Sequence, residues 1–203
     1  TGCCNINCIM CQRQDSSFTL PKAKVQQITE FFPYLDSIMW QGGEVFLVDY
    51  FKELFQEASR YPDLLQEVNT NGLLITEDWA DVIAQANARL IVSIDSTDKH
   101  TYEYIRRGAR FETLIRNLSL FKEARRRHSK NKPADIINVV VMRANYQGLE
   151  AFVDFALEYG FSGINFMYMV GQNCPQENIF DPLDSGAVEF LKKHIPEITA
   201  KAL

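Results

Sequence analysis

Four of the five cysteines fall within the first eleven residues, as Cys3, Cys4, Cys8 and Cys11, and the fifth, Cys174, stands alone. An odd number crowded at one end does not close loops as a disulfide framework does. It reads as metal or redox chemistry in a reducing compartment. Cys4, Cys8 and Cys11 have the spacing C-x3-C-x2-C, and three thiolates on one short loop can grip one soft metal centre. A closed zinc site needs a fourth ligand. His100, His128 and His194 are scattered, Cys3 is adjacent to Cys4, and Cys174 reaches the loop only if the fold returns it. The spacing leaves three readings: a cubane iron–sulfur cluster with three irons held by cysteine and one open to substrate, a zinc site, or cysteines gathered by chance.

The elements that must position this loop are helical stripes alternating with short apolar runs. Pro21 suits a helix start, with Val25, Ile28 and Phe32 on one face. Further stripes are Phe51, Leu54, Phe55 and Ala58; Trp79, Val82, Ile83 and Ala86; and Phe111, Leu114, Ile115, Leu118 and Phe121. Leu149, Phe152, Val153 and Ala156 form another, and Val188, Leu191 and Ile195 a last one. Strands are expected at Ile38–Trp40, Glu67–Thr70, Leu90–Ile94, Ile136–Met142 and Ile164–Tyr168. Ile136–Met142 is apolar at nearly every position, as a strand buried on both faces should be. One helix followed by five βα units predicts an α/β fold, its parallel sheet covered by helices and closing toward a barrel. Residues 1–203 read as a single domain. A strand before Thr1 would complete a sixth unit, and the start without Met is expected of a piece cut from a longer protein.

Polar groups recur where these strands end. Gly42-Gly43-Glu44 follows the first, Asn69-Thr70-Asn71-Gly72 the second, and Ser93-Ile94-Asp95 closes the third. Arg106-Arg107-Gly108 and Phe111-Glu112 come next. Together with Cys4-x3-Cys8-x2-Cys11, this series resembles the radical S-adenosylmethionine (radical SAM) superfamily over nearly the whole chain. The cysteine loop looks like the family's cluster loop, Gly42-Gly43-Glu44 like its Gly-Gly-Glu motif, and Ser93-x-Asp95 like its ribose motif. The Arg-Gly segment is similar to that of peptide-modifying and molybdopterin-type members. One departure is Met10, which stands where the family usually has an aromatic residue; it is apolar and polarizable and suited to shield a cluster or pack beside adenine.

The resemblance implies an incomplete (β/α)6 barrel, its first strand largely outside this sequence, and two cofactors, a [4Fe–4S] cluster on Cys4, Cys8 and Cys11 and S-adenosylmethionine. It implies reductive cleavage of that sulfonium to a 5′-deoxyadenosyl radical, which abstracts hydrogen from substrate. A peptide or protein substrate and an electron donor such as flavodoxin or ferredoxin would be partners. Gly42 and Gly43 then permit close backbone approach. Glu44 accepts from the methionyl ammonium, or else caps the following helix. Ser93 and Asp95 alternate along their strand and would meet ribose hydroxyls, with an N-cap role the plainer reading of Asp95. Arg107 is the choice for the methionyl carboxylate, and Arg106, Arg110, Arg143 and Asn145 are further candidates. Tyr168-Met169-Val170-Gly171 would face adenine or serve as barrel core. Asn69, Thr70 and Asn71 line the pocket or simply turn the chain.

Composition narrows the field. The 203 residues carry 26 acidic and 21 basic side chains, a net charge of −5, which argues against a nucleic-acid surface. No 18-residue apolar run is present and no signal peptide opens the chain, so neither a membrane nor a secretory location is expected, and the cytoplasm is. The basic run Arg125-Arg126-Arg127-His128-Ser129-Lys130 ends a helix, where positive charge suits the dipole, and reads as a solvated end. Cys174 reads as an ordinary free thiol. A non-catalytic zinc- or cluster-binding barrel, acting as scaffold or interaction module, is the rival reading. An aldolase-like barrel with coincidental cysteines would want a lysine or paired carboxylates at strand ends, and none stands out.

Overall fold

The structure is a computed structural model that describes residues 1–12, 17–128, 133–170 and 173–202. Its centre is a five-stranded, wholly parallel sheet of β2 (Ser37–Trp40), β3 (Leu65–Thr70), β4 (Ala88–Ser93), β6 (Ile136–Val141) and β7 (Gly163–Tyr168), in that spatial order. Every strand expected from the sequence is present, with ends moved by a residue or two. A second, two-residue ribbon pairs β1 (Asn7–Cys8) antiparallel with β5 (Arg106–Arg107). It is too short to carry a period that sequence could show.

Helices α1 (Lys22–Gln26), α2 (Phe51–Ala58), α3 (Glu77–Gln85), α4 (Lys99–Ile105), α5 (Phe111–His128), α6 (Ala151–Tyr159) and α7 (Ser185–Ala202) complete the chain. Local chemistry sets their ends. The Thr76 hydroxyl accepts from the Trp79 amide at the start of α3, the Asp98 carboxylate accepts from the Thr101 amide at the start of α4, and Gly160 stops α6 in the left-handed region at φ 79°. Their apolar stripes pack with the buried residues of the strands, Val68, Leu90, Val92, Ile137, Val139 and Val141 among them, to form the main core. Among the described residues, no helix is long and apolar enough to cross a membrane.

Three expectations are corrected. First, α1 passes at Gln27 into a 3-10 helix reaching Tyr34; the tighter winding turns Ile28 out to 37% exposure while Val25 and Phe32 stay buried. Second, β6 is buried on one face only, because Ile136, Asn138 and Val140 look into the open interior of the half-barrel. Third, Arg125 is no solvated helix end. Its guanidinium turns inward to pair with Asp135 at 2.7 Å and to donate to the Ala88 carbonyl, while Arg126, Arg127 and His128 pair at the surface. Ser129 and Lys130 lie outside the described residues.

Candidate functional site

Cys4, Cys8 and Cys11 line one cavity of about 460 Å³, at the carboxyl ends of the parallel strands. Ligands of α/β sheets ordinarily bind at that end. Its other walls are Gly42 and Gly43 after β2, Asn69, Thr70 and Asn71 at the end of β3, Ser93 at the end of β4, and Arg106. Met10 also borders it and packs behind into a small apolar cluster of Ile105, Met142, Met169 and Cys174. Cys174 is buried in that cluster and is not part of the cavity wall.

The amino-terminal segment reaches this place by main-chain pairing. The Gly43 amide donates to the Thr1 carbonyl at 2.6 Å and the Glu44 amide to the Cys3 carbonyl at 2.7 Å. The two glycines are needed for that approach: a Cβ on Gly43 would stand 2.0 Å from the Cys3 carbonyl oxygen, and one on Gly42 would stand 2.4 Å from that of Thr1. On the far side of the loop, Gln12 donates to the Val170 carbonyl and Asn173 to the Cys11 carbonyl, each at 2.6 Å.

Two arms then hold the cysteines from within. Glu44 is fully buried; its carboxylate accepts from the Thr70 hydroxyl at 2.8 Å, the Asn71 amide at 2.9 Å and the Phe46 amide at 3.4 Å. Burial pushes its carboxyl up, and those hydrogen bonds pull it back. Asn71 in turn extends its side-chain amide to Asn5 at 2.8 Å and to the Cys4 sulfur at 3.8 Å. In the second arm Asp95, also fully buried, accepts from the Val140 amide at 2.9 Å and pairs with Arg106 at 2.8 Å. The Arg106 guanidinium donates to the Cys8 sulfur at 3.8 Å. Burial pushes the Cys8 thiol up to about 11, and the Arg106 charge acts against that rise.

The motif residues divide accordingly. Gly42, Gly43 and Ser93 border the cavity, where Ser93 donates to Asn69 at 3.3 Å. Glu44 and Asp95 lie behind its wall. Glu44 also caps the 3-10 turn over Val45–Leu47, its carboxylate accepting from the Phe46 amide, whereas α4 is capped by Asp98 and not by Asp95. Arg106 is on the cavity, whereas Arg107, the arginine favoured from sequence, is exposed and outside the lining. The ribbon explains the exchange. Arg106 faces Cys8 and Arg107 faces Asn7 across β1 and β5, so alternation sends one pair inward and the other to solvent. Arg110 is exposed, and Arg143 pairs with Asp184 at 2.5 Å away from the cavity. Asn145 is buried, donating to the Asp95 and Val140 carbonyls at 2.7 and 2.8 Å. Tyr168 and Val170 are exposed and Met169 is buried; Gly171 lies outside the described residues.

These residues fit a cluster of the open cubane type. All three thiols of the motif border one space, and amide and guanidinium N–H groups aim at two of the sulfurs. In a cubane each thiolate takes its own iron, so the sulfurs need not crowd about one point. Among the described residues, no three Cys, His, Asp or Glu side chains converge as ligands of a single ion, which is what a closed zinc site requires.

Comparison with known proteins agrees with this architecture. The profile of the Radical SAM superfamily matches residues 1–156. GTP 3',8-cyclase of Peptoclostridium acidaminophilum is 27% identical over 127 residues, which cover 58% of this chain and 39% of the cyclase. A cysteine-type anaerobic sulfatase-maturating enzyme of Clostridium novyi is 25% identical over 139 residues, covering 58% of this chain and 37% of that enzyme. The crystal structure of Streptococcus suis SuiB bound to precursor peptide SuiA superposes with a TM-score of 0.75 over 97% of this chain and 45% of SuiB; at 17% identity the likeness concerns the fold. The same protein bound to S-adenosylmethionine gives 0.72. The chain therefore spans less than half the length of each of these proteins.

Proposed function

The chain belongs to the radical SAM superfamily, whose cofactors are a [4Fe–4S] cluster and S-adenosylmethionine, and from that premise we propose that Cys4, Cys8 and Cys11 hold the cluster and that the cavity beside them receives the sulfonium cofactor. The observation that carries this reading is the shared wall: three motif thiols and the ends of the first three sheet strands enclose one space of about 460 Å³, within the range of small-molecule sites. Cluster and sulfonium together supply a 5′-deoxyadenosyl radical, chemistry that belongs to the cofactors. The protein's own residues place and shield it. The bare backbone at Gly42 and Gly43 presents polar groups at the rim, the Ser93 hydroxyl and Asn69 amide offer partners to cofactor hydroxyls, and Arg106 presents a buried positive charge.

The substrate would lie beyond, on the inner face of the sheet. There Asn69 and Ser93 continue into Asn138 and Asn165, whose side chains hydrogen-bond at 3.0 Å. Beside these amides and the hydroxyl the face carries the Glu67–Arg89 pair and Ile136 and Val140, a mixed lining that suits a peptide or protein substrate, with reducing equivalents from a flavodoxin or ferredoxin. Anaerobic reconstitution with iron and sulfide tests the whole reading. We expect iron and sulfide in cubane stoichiometry and 5′-deoxyadenosine on addition of reductant and S-adenosylmethionine. Both should vanish in Cys8→Ala and after chelation of the iron. A non-catalytic barrel would bind metal yet release no 5′-deoxyadenosine, and that result would overturn the proposal.

A further inference from the structure

The two arms behind the cavity have the same plan and different charge. Each joins a fully buried carboxylate to one motif sulfur through a residue about 5% exposed: the Glu44 carboxylate accepts from the Asn71 main-chain amide while the Asn71 side-chain amide faces Cys4 at 3.8 Å, and the Arg106 guanidinium both pairs with Asp95 and donates to Cys8 at 3.8 Å. Glu44 reaches Cys4 through Asn71, a neutral amide. Asp95 reaches Cys8 through Arg106, a cation. We infer that Arg106, clamped by Asp95, is a positioning residue that sets the reduction potential of the cluster, and that the Asn71 arm orients its thiolate without that effect.

This inference rests on the cluster assignment proposed above. Cluster potentials follow local charge, hydrogen bonds to the sulfurs and exposure to solvent. Arg106 supplies the first two. A cation against a ligand sulfur stabilises the reduced, more negative cluster and so raises its potential. Its N–H donor faces the Cys8 sulfur, and its side chain is only 6% exposed, so its charge is little screened by water. The contact is built into the backbone, because Cys8 and Arg106 are opposed in the β1–β5 ribbon and opposed side chains in an antiparallel pair share a face. The adjoining Ile9 amide donates to the Ile105 carbonyl at 2.9 Å and locks the register. Asp95 pairs with one end of the guanidinium and the Cys8 sulfur with another, so the cation stands between the carboxylate and the sulfur. The buried nest also holds polar atoms without hydrogen-bond partners, the Arg106 Nε, the Asp95 Oδ2 and the Tyr102 hydroxyl.

The test is a redox titration of the anaerobically reconstituted chain, followed by the paramagnetic signal of the reduced cluster. Arg106→Gln should move the equilibrium at least tenfold toward the oxidised cluster, about 59 mV downward for one electron. Arg106→Lys, which keeps the charge, should move it less, and Asn71→Ala, which removes only a neutral donor, less than Arg106→Gln. An Arg106→Gln variant that will not take up iron is replaced by Asp95→Asn/Arg106→Gln, which leaves no buried charge orphaned; its potential should also fall. Wild-type potentials in whichever of these two loads, or a shift in Asn71→Ala as large as in Arg106→Gln, would overturn the inference while leaving the cluster assignment intact. A wild-type chain that binds no iron and sulfide would remove both.

Discussion

Ile137, Val139 and Val141 on one side of β6 are exposed by 4% or less, whereas Ile136, Asn138 and Val140 on the other side are half-buried. The same division runs through the neighbouring strands. Outward, Val68, Leu90 and Val92 are sealed under helices with no exposure. Inward, Glu67 pairs with Arg89 at 3.0 Å, Asn69 with Ser93 and Asn138 with Asn165. A parallel sheet is ordinarily covered by apolar packing on both faces, and barrel interiors are packed cores. Here one face carries the fold, and the other is less buried and mixed in character, its polar pairs interleaved with Ile136 and Val140 and with the buried Ile91, and Ser93 and Val140 carry it into the cysteine cavity.

The largest expected effect lies on the sealed face. Ile137→Ala removes buried methylene and methyl groups from the centre of the core and should lower unfolding free energy by about 2–5 kcal/mol, read from denaturant midpoints. A cost near that of a surface change would break the comparison at its firm end. Next comes Gln66, a polar residue on that face. It is fully buried, accepts from the Trp40 indole at 2.9 Å, and donates to the Ser59 hydroxyl at 2.9 Å and the Phe55 carbonyl at 3.3 Å. Gln66→Ala orphans the indole N–H and should cost about 1–3 kcal/mol. Exposed packing at α2 would let water take the place of the amide, and the loss would then be negligible.

This division also explains what could be read from the chain alone. All five parallel strands and the cysteine loop were legible because strands declare themselves by apolar runs and the loop by spacing. Which face was sealed was not. Ile136–Met142 looks uniformly apolar because its one polar inward residue, Asn138, sits among isoleucine and valine, so only the sheet's curvature and the open interior distinguish its sides. Which of Arg106 and Arg107 borders the cavity was hidden for a related reason. Alternation fixes that the two point oppositely, but which one points inward depends on register with Asn7 and Cys8, a contact nearly a hundred residues away in sequence. Glu44 and Asp95 were found as motif residues, yet their placement behind the wall, reaching the sulfurs through Asn71 and Arg106, is a tertiary fact with no local signal.

The smallest effect is the sharpest test, because it concerns the residue adjacent to Ile137 on the same strand. Asn138 is half-buried, and its oxygen accepts from Asn165 at 3.0 Å in an exposed pair. Water can satisfy both amides once the partner is gone, so Asn138→Ala should change stability by no more than about 0.5 kcal/mol, as a surface substitution does. Iron uptake and 5′-deoxyadenosine release without substrate should likewise persist, since Asn138 does not line the cavity shared by the cysteines. Comparable destabilisation by Asn138→Ala and Ile137→Ala, measured in the same denaturant series, would mean that the inner face is closed core after all. The amide row would then be structural, and the place assigned to the substrate would have to move to the outer rim of the cavity.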